Sequence, residues 1–526
     1  MKNKIKNVII FILILLMAII IVGSIYYNKT YPKQDFDVVM FTLTAGVENT
    51  SPDVINGILS SCAIPVLITI IIITLPIIKK TNSNLHVDIK IRKKMFSFQL
   101  YPIKYTSKHR IIYLTFIFIV SIIVFVKCFY VDEFIKNKFQ DTKLFEEYYI
   151  DPRNVNITFP NKKRNLILIL GESFETTVLS KENGGAWDYS LMPELEELAI
   201  TNTSFSNNET LGGAAQVYGT TYSAAGNVAI TSGIPLKAQE LLLHTNSYNG
   251  NGNYLSGAYS IGEILKDNGY NLEIIMGSDG FFGGRTQYYS TNGNYKIFDV
   301  NYAIETGKMS EQDKVWWGFN DDTLFEWSKE EISNLSNENN PFNYIILTAD
   351  THFTDGYLSP NAEIKYESQY ENVHAYSSKC INEFVEWIKQ QDFYEDTTIV
   401  IIGDHLGMQE DFYSEKVTGG YQRKVYNVII NPAIPAKNTT NRQFTTMDLY
   451  PTILASMGAK IEGNRLALGT NLYSGEPTLL EQLGYQYLNT ELRKNSAFYN
   501  KHILGDDYYI IKKANNNEGS EENNIE

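Results

Sequence analysis

Two short motifs in the sequence supply the ligands that a divalent metal ion needs. Gly-Glu-Ser contributes Glu172, and Gly-Asp-His contributes Asp404 and His405. Two carboxylates and one imidazole form a suitable ligand set for one ion, with Mn²⁺ favoured, and Zn²⁺ or Mg²⁺ also compatible. Each residue also has a purely structural alternative, because acidic residues stabilise helix N-termini and an Asp-His pair in a turn often only caps a helix.

A third stretch, residues 217–236, concentrates hydroxyl side chains directly after Gly219. Thr220, Thr221 and Ser223 precede a run of small and apolar residues, which is typical of a loop that enters a buried helix. A hydroxyl in the first turn of such a helix lies beside free backbone N–H groups, which favour an oxyanion and a phosphate. Metal coordination would lower the pKa of this hydroxyl and make it a nucleophile. A small-residue helix packed closely against a neighbour is the alternative interpretation.

Two further residues extend the same chemistry. His352 ends the segment Ala-Asp-Thr-His and is suited to donating a proton to a leaving oxygen or to holding a phosphate. Arg285 lies in the segment GFFGGRTQYY, and its fork of donors is suited to clamping a phosphate. A loop histidine and a surface ion pair are the structural alternatives. Because metal ligands, a hydroxyl loop and phosphate-binding side chains occur together, we favour a catalytic site.

Alternating strand and helix patterns predict where these motifs lie. Continuous apolar runs typical of buried parallel strands occur at 166–170, 272–276, 344–348, 398–402 and 425–430. Helical periodicity occurs between them, for example at 192–200, 260–268 and 370–390. This alternation predicts an α/β domain with a mostly parallel central sheet flanked by helices. Glu172, His352 and Asp404 each closely follow an apolar run, at the sheet edge where ligands bind in such folds.

The N-terminal part of the sequence predicts a membrane anchor. Three apolar runs, 8–27, 55–78 and 111–130, are each long enough to span a bilayer as a helix. The first run is too long for the apolar core of a cleaved signal peptide. Residues 79–110 carry nine basic residues, whereas residues 28–54 carry two. The positive-inside rule therefore predicts a multi-pass plasma-membrane protein, with everything after the third span outside the cytoplasm.

Charge and cysteine content narrow the function classes. The net charge of −14 argues against a nucleic-acid partner, and the basic segment lies between two predicted spans. Cys62 and Cys128 lie in predicted spans, which leaves Cys380 alone and excludes a disulfide framework. We predict a membrane anchor (1–130), a connector (131–160), a catalytic domain (161–475), a C-terminal extension (476–513) and a disordered acidic tail (514–526).

The order of these motifs resembles the alkaline-phosphatase-like sulfatase superfamily. The similarity is strongest to its membrane-anchored phosphoglycerol transferases, which include the periplasmic-glucan phosphoglycerol transferase and lipoteichoic acid synthase. The segments 219–226, 232–236 and 350–357 contribute most to this resemblance. It extends over roughly residues 160–475. The sequence predicts three spans, where these relatives often have more.

The resemblance implies a chemistry as well as a fold. It implies one divalent metal, held by Glu172, Asp404, His405 and the nucleophilic hydroxyl. It also implies a covalent glycerophosphoryl-enzyme, a phosphatidylglycerol donor in the bilayer and a glycan or glycolipid acceptor outside the cytoplasm.

The resemblance also implies roles for residues around the substrate phosphate. His352 is expected near that phosphate, and Arg285 with Phe282 is expected to contact the glycerol phosphate. The nucleophile stays open at this point, with Thr220 as a third candidate. Spacing to residues 232–235 favours Ser223, whereas a Gly-x-Thr match to lipoteichoic acid synthase favours Thr221.

Three other functions compete with headgroup transfer from phosphatidylglycerol. Phosphoethanolamine transfer is the nearest, although such relatives usually carry cysteines near the nucleophile loop, and these are absent here. A sulfatase-like phosphodiesterase or other hydrolase is the next, but no Cys-x-Pro-x-Arg-like motif occurs. A membrane-tethered scaffold without activity is the non-enzymatic alternative, and the presence of all three metal-ligand candidates argues against it.

Overall fold

The computed structural model describes residues 2–31, 34–44, 52–78, 86–91, 94–99, 107–237 and 254–505. In these ranges the helices are α1 (Lys2–Thr30), α2 (Phe36–Thr44), α3 (Pro52–Ile78), α4 (Ser107–Cys128), α5 (Val131–Lys138), α6 (Leu144–Tyr148), α7 (Pro193–Thr201), α8 (Ser223–Ser232), α9 (Ile261–Asp267), α10 (Arg285–Thr291), α11 (Val300–Glu305), α12 (Asp321–Ser336), α13 (Gln369–Lys389), α14 (Glu410–Ser414), α15 (Leu449–Ser456), α16 (Leu479–Leu483) and α17 (Tyr485–Arg493). The strands are β1 (His86–Ile91), β2 (Lys94–Gln99), β3 (Ile157–Thr158), β4 (Asn165–Gly171), β5 (Asn271–Met276), β6 (Lys296–Phe298), β7 (Phe342–Leu347), β8 (Thr397–Gly403), β9 (Asn427–Ile430), β10 (Lys460–Ile461), β11 (Arg465–Leu466) and β12 (Gly469–Thr470). The predicted acidic tail, 514–526, lies outside the described residues.

One compact unit of the chain, residues 1–36 and 52–135, contains the apolar helices. Helix α1 packs against both α3 and α4. Three helical segments are long and apolar enough to cross a membrane: Val8–Thr30, Asn56–Pro76 and Arg110–Cys128. Many of their apolar side chains are exposed, as expected of helices that face lipid. Strands β1 and β2 form an antiparallel hairpin in the basic segment between α3 and α4.

The second unit, residues 37–51 and 136–526, contains the α/β domain. Its six-stranded sheet has the order β6-β5-β7-β4-β8-β9. The first five of these strands run parallel, and β9 runs antiparallel to β8 at the edge. The α/β class with a mostly parallel central sheet, which the apolar runs predicted, is therefore confirmed.

Strand β4 shows why the central strands have continuously apolar sequences. Leu166, Leu168 and Leu170 are buried in the core on one face of the sheet. Ile167 and Ile169 are buried in a second core on the other face. Because helices cover both faces, neither set of alternating side chains meets solvent, and every position of the strand is apolar.

The structure differs from the predicted elements at three places. Strand β6 is only three residues long and starts with the exposed Lys296, so the sequence has no apolar run that would predict this strand. Helix α12 is rich in charged residues, and its buried face was not recognised. The run 425–430 forms a sheet strand only from Asn427, because Val425 bridges Glu175 and Ala214 instead.

The register between β4 and β8 places the polar motifs side by side. Gly171, the last residue of β4, pairs with Gly403, the last residue of β8. A Cβ atom at Gly403 would lie 1.8 Å from the carbonyl oxygen of Phe174, so only glycine fits there. The chain therefore turns immediately after both strands, and Glu172 and Asp404 leave the sheet at the same edge.

Candidate active site

The ends of β4 and β8 bring three ionisable side chains together. One ligand atom from each of Glu172, Asp404 and His405 lies within 4.8 Å of the others, and all three residues are buried. We call this set the strand-end cluster. Three buried ionisable groups are costly to hold without mutual pairing or a bound cation, so their convergence indicates a function.

Hydrogen bonds fix the two carboxylates of the cluster. Asp404 Oδ1 accepts from the backbone N–H groups of Ser173 and His405, at 2.9 and 2.8 Å. The hydroxyl of Ser173 donates to Glu172 Oε1 at 2.8 Å. Ser173 adopts a left-handed backbone with φ of 59°, which costs on the order of 1–3 kcal/mol for a residue with a side chain. This strained residue therefore orients both carboxylates of the cluster.

The imidazole of His405 is oriented by its backbone neighbour. Its Nδ1 donates to the carbonyl oxygen of Leu406 at 2.8 Å, so Nε2 is the nitrogen that faces the cluster. Nε2 lies 3.3 Å from Glu172 Oε1 and 3.6 Å from Asp404 Oδ2. Burial alone would lower the pKa of His405, but the two carboxylates overcome this effect and raise the pKa to about 10. Burial and the charge of Glu172 in turn raise the pKa of Asp404 to about 7.

Ser223 is the hydroxyl that the structure brings to this cluster. Its Oγ donates to Glu172 Oε2 at 3.0 Å and lies 3.3 Å from His405 Nε2. Ser223 is the first residue of α8, and Gly226 lies three positions later in the same helix. A Cβ atom at Gly226 would lie 2.1 Å from the backbone oxygen of Asp404. The glycine thus lets the first turn of α8 approach the strand-end cluster.

The other two candidate hydroxyls lie differently. The Thr220 hydroxyl is fully buried, donates to the carbonyl oxygen of Val217 at 2.9 Å and accepts from the Val217 N–H at 3.0 Å. Among the described residues, Thr221 forms no hydrogen bond to the strand-end cluster. Of the three candidate hydroxyls, Ser223 is therefore the one for which the described residues show a hydrogen bond to a carboxylate of the cluster.

The donor set fits a divalent cation. It combines two carboxylates, one imidazole nitrogen and one hydroxyl oxygen, which are ligands of Mn²⁺ and Zn²⁺. In the absence of an ion the carboxylates keep a proton on His405, and a cation would take the place of that proton. Glu172, Asp404, His405 and Ser223 Oγ are the residues that would hold it.

His352 lies beside the cluster in a partly buried position. Its Nδ1 donates to the carbonyl oxygen of Phe353 at 2.7 Å, and within the described parts of the chain Nε2 forms no hydrogen bond. Its ring stacks on Phe353 at 4.6 Å and meets the edge of Trp317 at 4.8 Å between ring centroids. Burial lowers the pKa of His352, although the nearby Glu172 opposes this. The imidazole is therefore neutral near pH 7, with a lone pair on Nε2.

Arg285 places a partly buried guanidinium near Glu172. Its Nε donates to the Phe282 carbonyl at 3.0 Å, and its Nη2 donates to Ser278 Oγ and the Asp279 carbonyl, both at 2.9 Å. Burial lowers the pKa of Arg285, and Glu172 acts in the opposite direction. Among the described residues, Nη1 has no hydrogen-bond partner. The side chain is thus held rigidly while one donor arm stays available for an anion.

The family model for sulfatases matches residues 164–459, which is more than half of the chain. The chain belongs to the sulfatase family. The matched range contains every residue of the strand-end cluster, together with Ser223, His352 and Arg285.

Among the curated relatives of this sulfatase-family chain, phosphoglycerol transferase I of Salmonella choleraesuis is 30% identical over 356 residues, covering 66% of this chain and 43% of that protein. Phosphoglycerol transferase I of Escherichia coli is 30% identical over 341 residues, covering 63% and 41%. The match thus spans less than half the length of these relatives. Among solved structures, the lipoteichoic acid synthase LtaP of Listeria monocytogenes has a TM-score of 0.47 at 18% identity, covering 61% of this chain and 79% of that one.

Sequence reasoning missed two residues of this sulfatase-family site. Ser173 was visible in the Gly-Glu-Ser motif, but nothing in the motif showed that its left-handed backbone would orient both carboxylates. Trp317 lies in a tight turn, contacts His352 and packs 5.3 Å from the ring of Phe282. A turn has no periodicity that predicts such a contact, so only the structure reveals it.

Proposed function

We propose that this chain transfers a glycerol phosphate headgroup from phosphatidylglycerol to a glycan or glycolipid acceptor outside the cytoplasm. The observation that carries the proposal is the position of Ser223 Oγ, 3.0 Å from Glu172 and 3.3 Å from His405 Nε2. The relatives named phosphoglycerol transferase I support the identity of the transferred group.

We assign the nucleophile to Ser223, because its hydroxyl lies at hydrogen-bonding distance from Glu172 and His405, whereas Thr220 bonds to Val217. Ser223 Oγ attacks the phosphorus of the lipid, a new O–P bond forms, and the bond from phosphorus to the diacylglycerol oxygen breaks. The serine proton is transferred overall to the diacylglycerol oxygen. The hydroxyl of the acceptor then attacks the phosphoserine, the glycerophosphoryl group leaves on the acceptor, and Ser223 regains a proton.

One divalent ion is the cofactor of this proposal, with Mn²⁺ preferred over Zn²⁺ and Mg²⁺. When bound by Glu172, Asp404, His405 and Ser223, it would lower the pKa of the hydroxyl and neutralise a phosphoryl oxygen. The first turn of α8 offers backbone N–H groups to the same phosphate.

The remaining side chains orient the substrate and move protons. Arg285 holds a phosphoryl oxygen through its free donor arm, and the Phe282 ring, 5.8 Å below the guanidinium, limits where the glycerol lies. His352 uses Nε2 to accept a proton from the attacking hydroxyl of the acceptor and returns it to Ser223 as the phosphoserine bond breaks.

The proposed location follows from the apolar helices and the charge distribution. Three membrane-spanning helices would hold the chain in the plasma membrane as a multi-pass protein, with the α/β domain outside the cytoplasm. A membrane anchor would tether the α/β domain to the membrane that contains its lipid substrate.

Diacylglycerol release tests the donor directly. Full-length protein in lipid nanodiscs would be supplied with Mn²⁺ and either phosphatidylglycerol or phosphatidylethanolamine, and diacylglycerol would be quantified by mass spectrometry. We expect release from phosphatidylglycerol only, its loss in Ser223→Ala, and its retention in Thr221→Val. Diacylglycerol release from phosphatidylethanolamine alone would assign the chain to phosphoethanolamine transfer. Diacylglycerol release by Ser223→Ala would overturn the assignment of Ser223 as the nucleophile.

A further inference from the structure

Helix α2 lies between two apolar helices in sequence but contributes to the catalytic domain. Residues from Asp37 onward in this helix belong to the same compact unit as the α/β domain. Val38 and Phe41 are buried in the core that also contains Tyr222 and Ala224, on either side of Ser223. A short segment far from the active-site motifs in sequence is therefore packed against the loop that carries the nucleophile.

Asp37 makes a polar contact with the start of that loop. Asp37 is 3% exposed, and its carboxyl accepts hydrogen bonds from the Tyr218 hydroxyl and, at 3.1 Å, from the Val38 N–H. Burial raises the pKa of Asp37, while the bond from Tyr218 and the nearby Lys237 act to lower it. Burying a carboxyl is costly unless its partners are well placed. This contact therefore ties α2 specifically to Tyr218.

Tyr218 is held from its other side as well. Its backbone N–H donates to Asn489 Oδ1 at 2.7 Å, and the guanidinium of Arg493 lies 5.3 Å from its ring centre. The following Gly219 has φ of 76° and accepts a hydrogen bond from the Leu236 N–H at 2.9 Å. The loop that leads to Ser223 thus starts from a residue clamped between Asp37 and helix α17.

Phe41 reaches the other end of the same loop. Its ring lies 4.8 Å from the ring of Tyr222, the residue directly before Ser223. A Cβ atom at Gly283 would lie 3.6 Å from Ala224 Cβ and 3.8 Å from Phe41 Cζ. Gly283 is two residues before Arg285. The Phe41 ring therefore lies where the loop of the nucleophile meets the loop of the phosphate-binding arginine.

We propose that Asp37 and Phe41 are positioning residues that set the distance between Ser223 and Arg285. Asp37 holds the start of the nucleophile loop, and Phe41 holds its end against the arginine loop. This inference rests on the proposed role of Ser223. It means that the α/β domain needs residues 37–41 for its active-site geometry, and that their role is more than connecting two membrane helices. Misplacing a reacting group by about 1 Å can slow a reaction by roughly 10²-fold.

The test is the rate of glycerophosphoryl-serine formation in the full-length protein. Intact mass would be followed over time in nanodiscs with Mn²⁺ and varied phosphatidylglycerol, for wild type, Phe41→Ala, Asp37→Asn, Tyr218→Phe and the Asp37→Asn/Tyr218→Phe double variant. Val39→Ala is the control, because Val39 lies in the same helix outside the buried core. Metal content and thermal unfolding would be recorded for each variant.

We expect Phe41→Ala to lower the maximal rate by roughly 10–100-fold while metal content and the half-saturating lipid concentration stay near wild type. Asp37→Asn and Tyr218→Phe should each slow the reaction by about tenfold, and the double variant should be no slower than either, because the two residues act as one contact. Phe41→Leu should recover most of the rate, and Val39→Ala should match wild type.

Two results would overturn the inference. Unchanged rates in Phe41→Ala and Asp37→Asn would show that α2 does not position the site. Losses that multiply in the double variant would show that Asp37 and Tyr218 act separately. A wild-type protein that forms no adduct would instead overturn the proposed function on which the inference rests, so the two failures are distinguishable.

Discussion

Two buried histidines of the α/β domain have opposite electrostatic environments. His405, in the strand-end cluster, is 1% exposed and lies between Glu172 and Asp404, which raise its pKa to about 10. His374, in α13, is fully buried between the rings of Tyr370 and Phe412. Neither of its ring nitrogens has a hydrogen-bond partner among the described residues, and burial lowers its pKa to about 3.

This difference separates a candidate metal ligand from a histidine of the core. Burial is nearly the same at both positions, so burial alone does not explain a metal-ligating or catalytic role. The two carboxylates at the strand ends reverse the effect of burial on His405 and create a place for a cation. His374 lacks such neighbours and behaves as an aromatic side chain in the core.

The largest predicted difference between the strand-end cluster and the surroundings of His374 is in the transferase activity that a substitution leaves. His405→Gln should remove one metal ligand and lower diacylglycerol release by about 10²–10³-fold or more, the range for losing one main electrostatic stabiliser. His374→Gln should keep most of the activity, because that side chain lies in the aromatic core. Steady-state assays with matched protein amounts check this pair. Equal losses at both positions would mean that the strand-end cluster has no special role.

The second prediction concerns a variant that removes one of the two negative charges beside His405. Asp404→Asn keeps an oxygen that can accept from the N–H groups of Ser173 and His405, but it removes one of the two negative charges. We expect the pKa of His405 to fall from about 10, and Mn²⁺ affinity to fall by at least about 100-fold, beyond the usual loss for an outer-shell partner. NMR titration of labelled histidine and calorimetry measure the two effects. An unchanged pKa would assign the shift to another group.

The third prediction concerns the pH dependence of metal binding. The raised pKa means that His405 carries a proton at neutral pH without a metal, and a cation must displace it. Mn²⁺ affinity should therefore increase with pH from 6 to 9, and binding at pH 7 should release roughly one to two protons, one from His405 and a fraction from the partly protonated Asp404. Calorimetry in buffers of different ionisation enthalpy counts the protons. Binding that is independent of pH would contradict the assigned ligand.

The smallest predicted effect is the change in folding stability with pH that His374 causes. Because its pKa is lowered in the folded state, the stabilisation of the neutral form is complete above about pH 6.5 and is lost progressively toward pH 3. At pH 5 the loss is about 2 kcal/mol relative to pH 7. His374→Phe should remove this loss and, by replacing an unpaired polar ring, stabilise the domain by about 1 kcal/mol at pH 7. Denaturant unfolding of both proteins at pH 7 and pH 5 checks the sign, and equal pH dependence would contradict it.

The class of fold was predictable because its signal is local. The apolar runs around β4, β7 and β8 reflect burial on both faces of a parallel sheet, and the polar motifs at their ends mark the edge where ligands bind. The structure accordingly places Glu172, Asp404 and His405 together.

Other parts of the site depend on contacts that no local pattern reveals. Three hydroxyls lie within four positions of one loop, and only the folded backbone shows that Thr220 bonds to Val217 while Ser223 faces Glu172. The packing of α2 on this loop joins residues about 180 positions apart. A short helix beside apolar spans looks like a connector in sequence, so its role in the catalytic domain was not predicted.

The most direct test of Ser223 as the nucleophile is peptide mapping of the full-length protein after incubation with phosphatidylglycerol, with Mn²⁺ and with a chelator in parallel. We expect a glycerophosphoryl group on Ser223 in the Mn²⁺ sample and none in the chelated sample. An adduct on Thr221 or another residue, or one that forms equally with the chelator, would contradict the assignment of Ser223 and the strand-end cluster as the reacting centre.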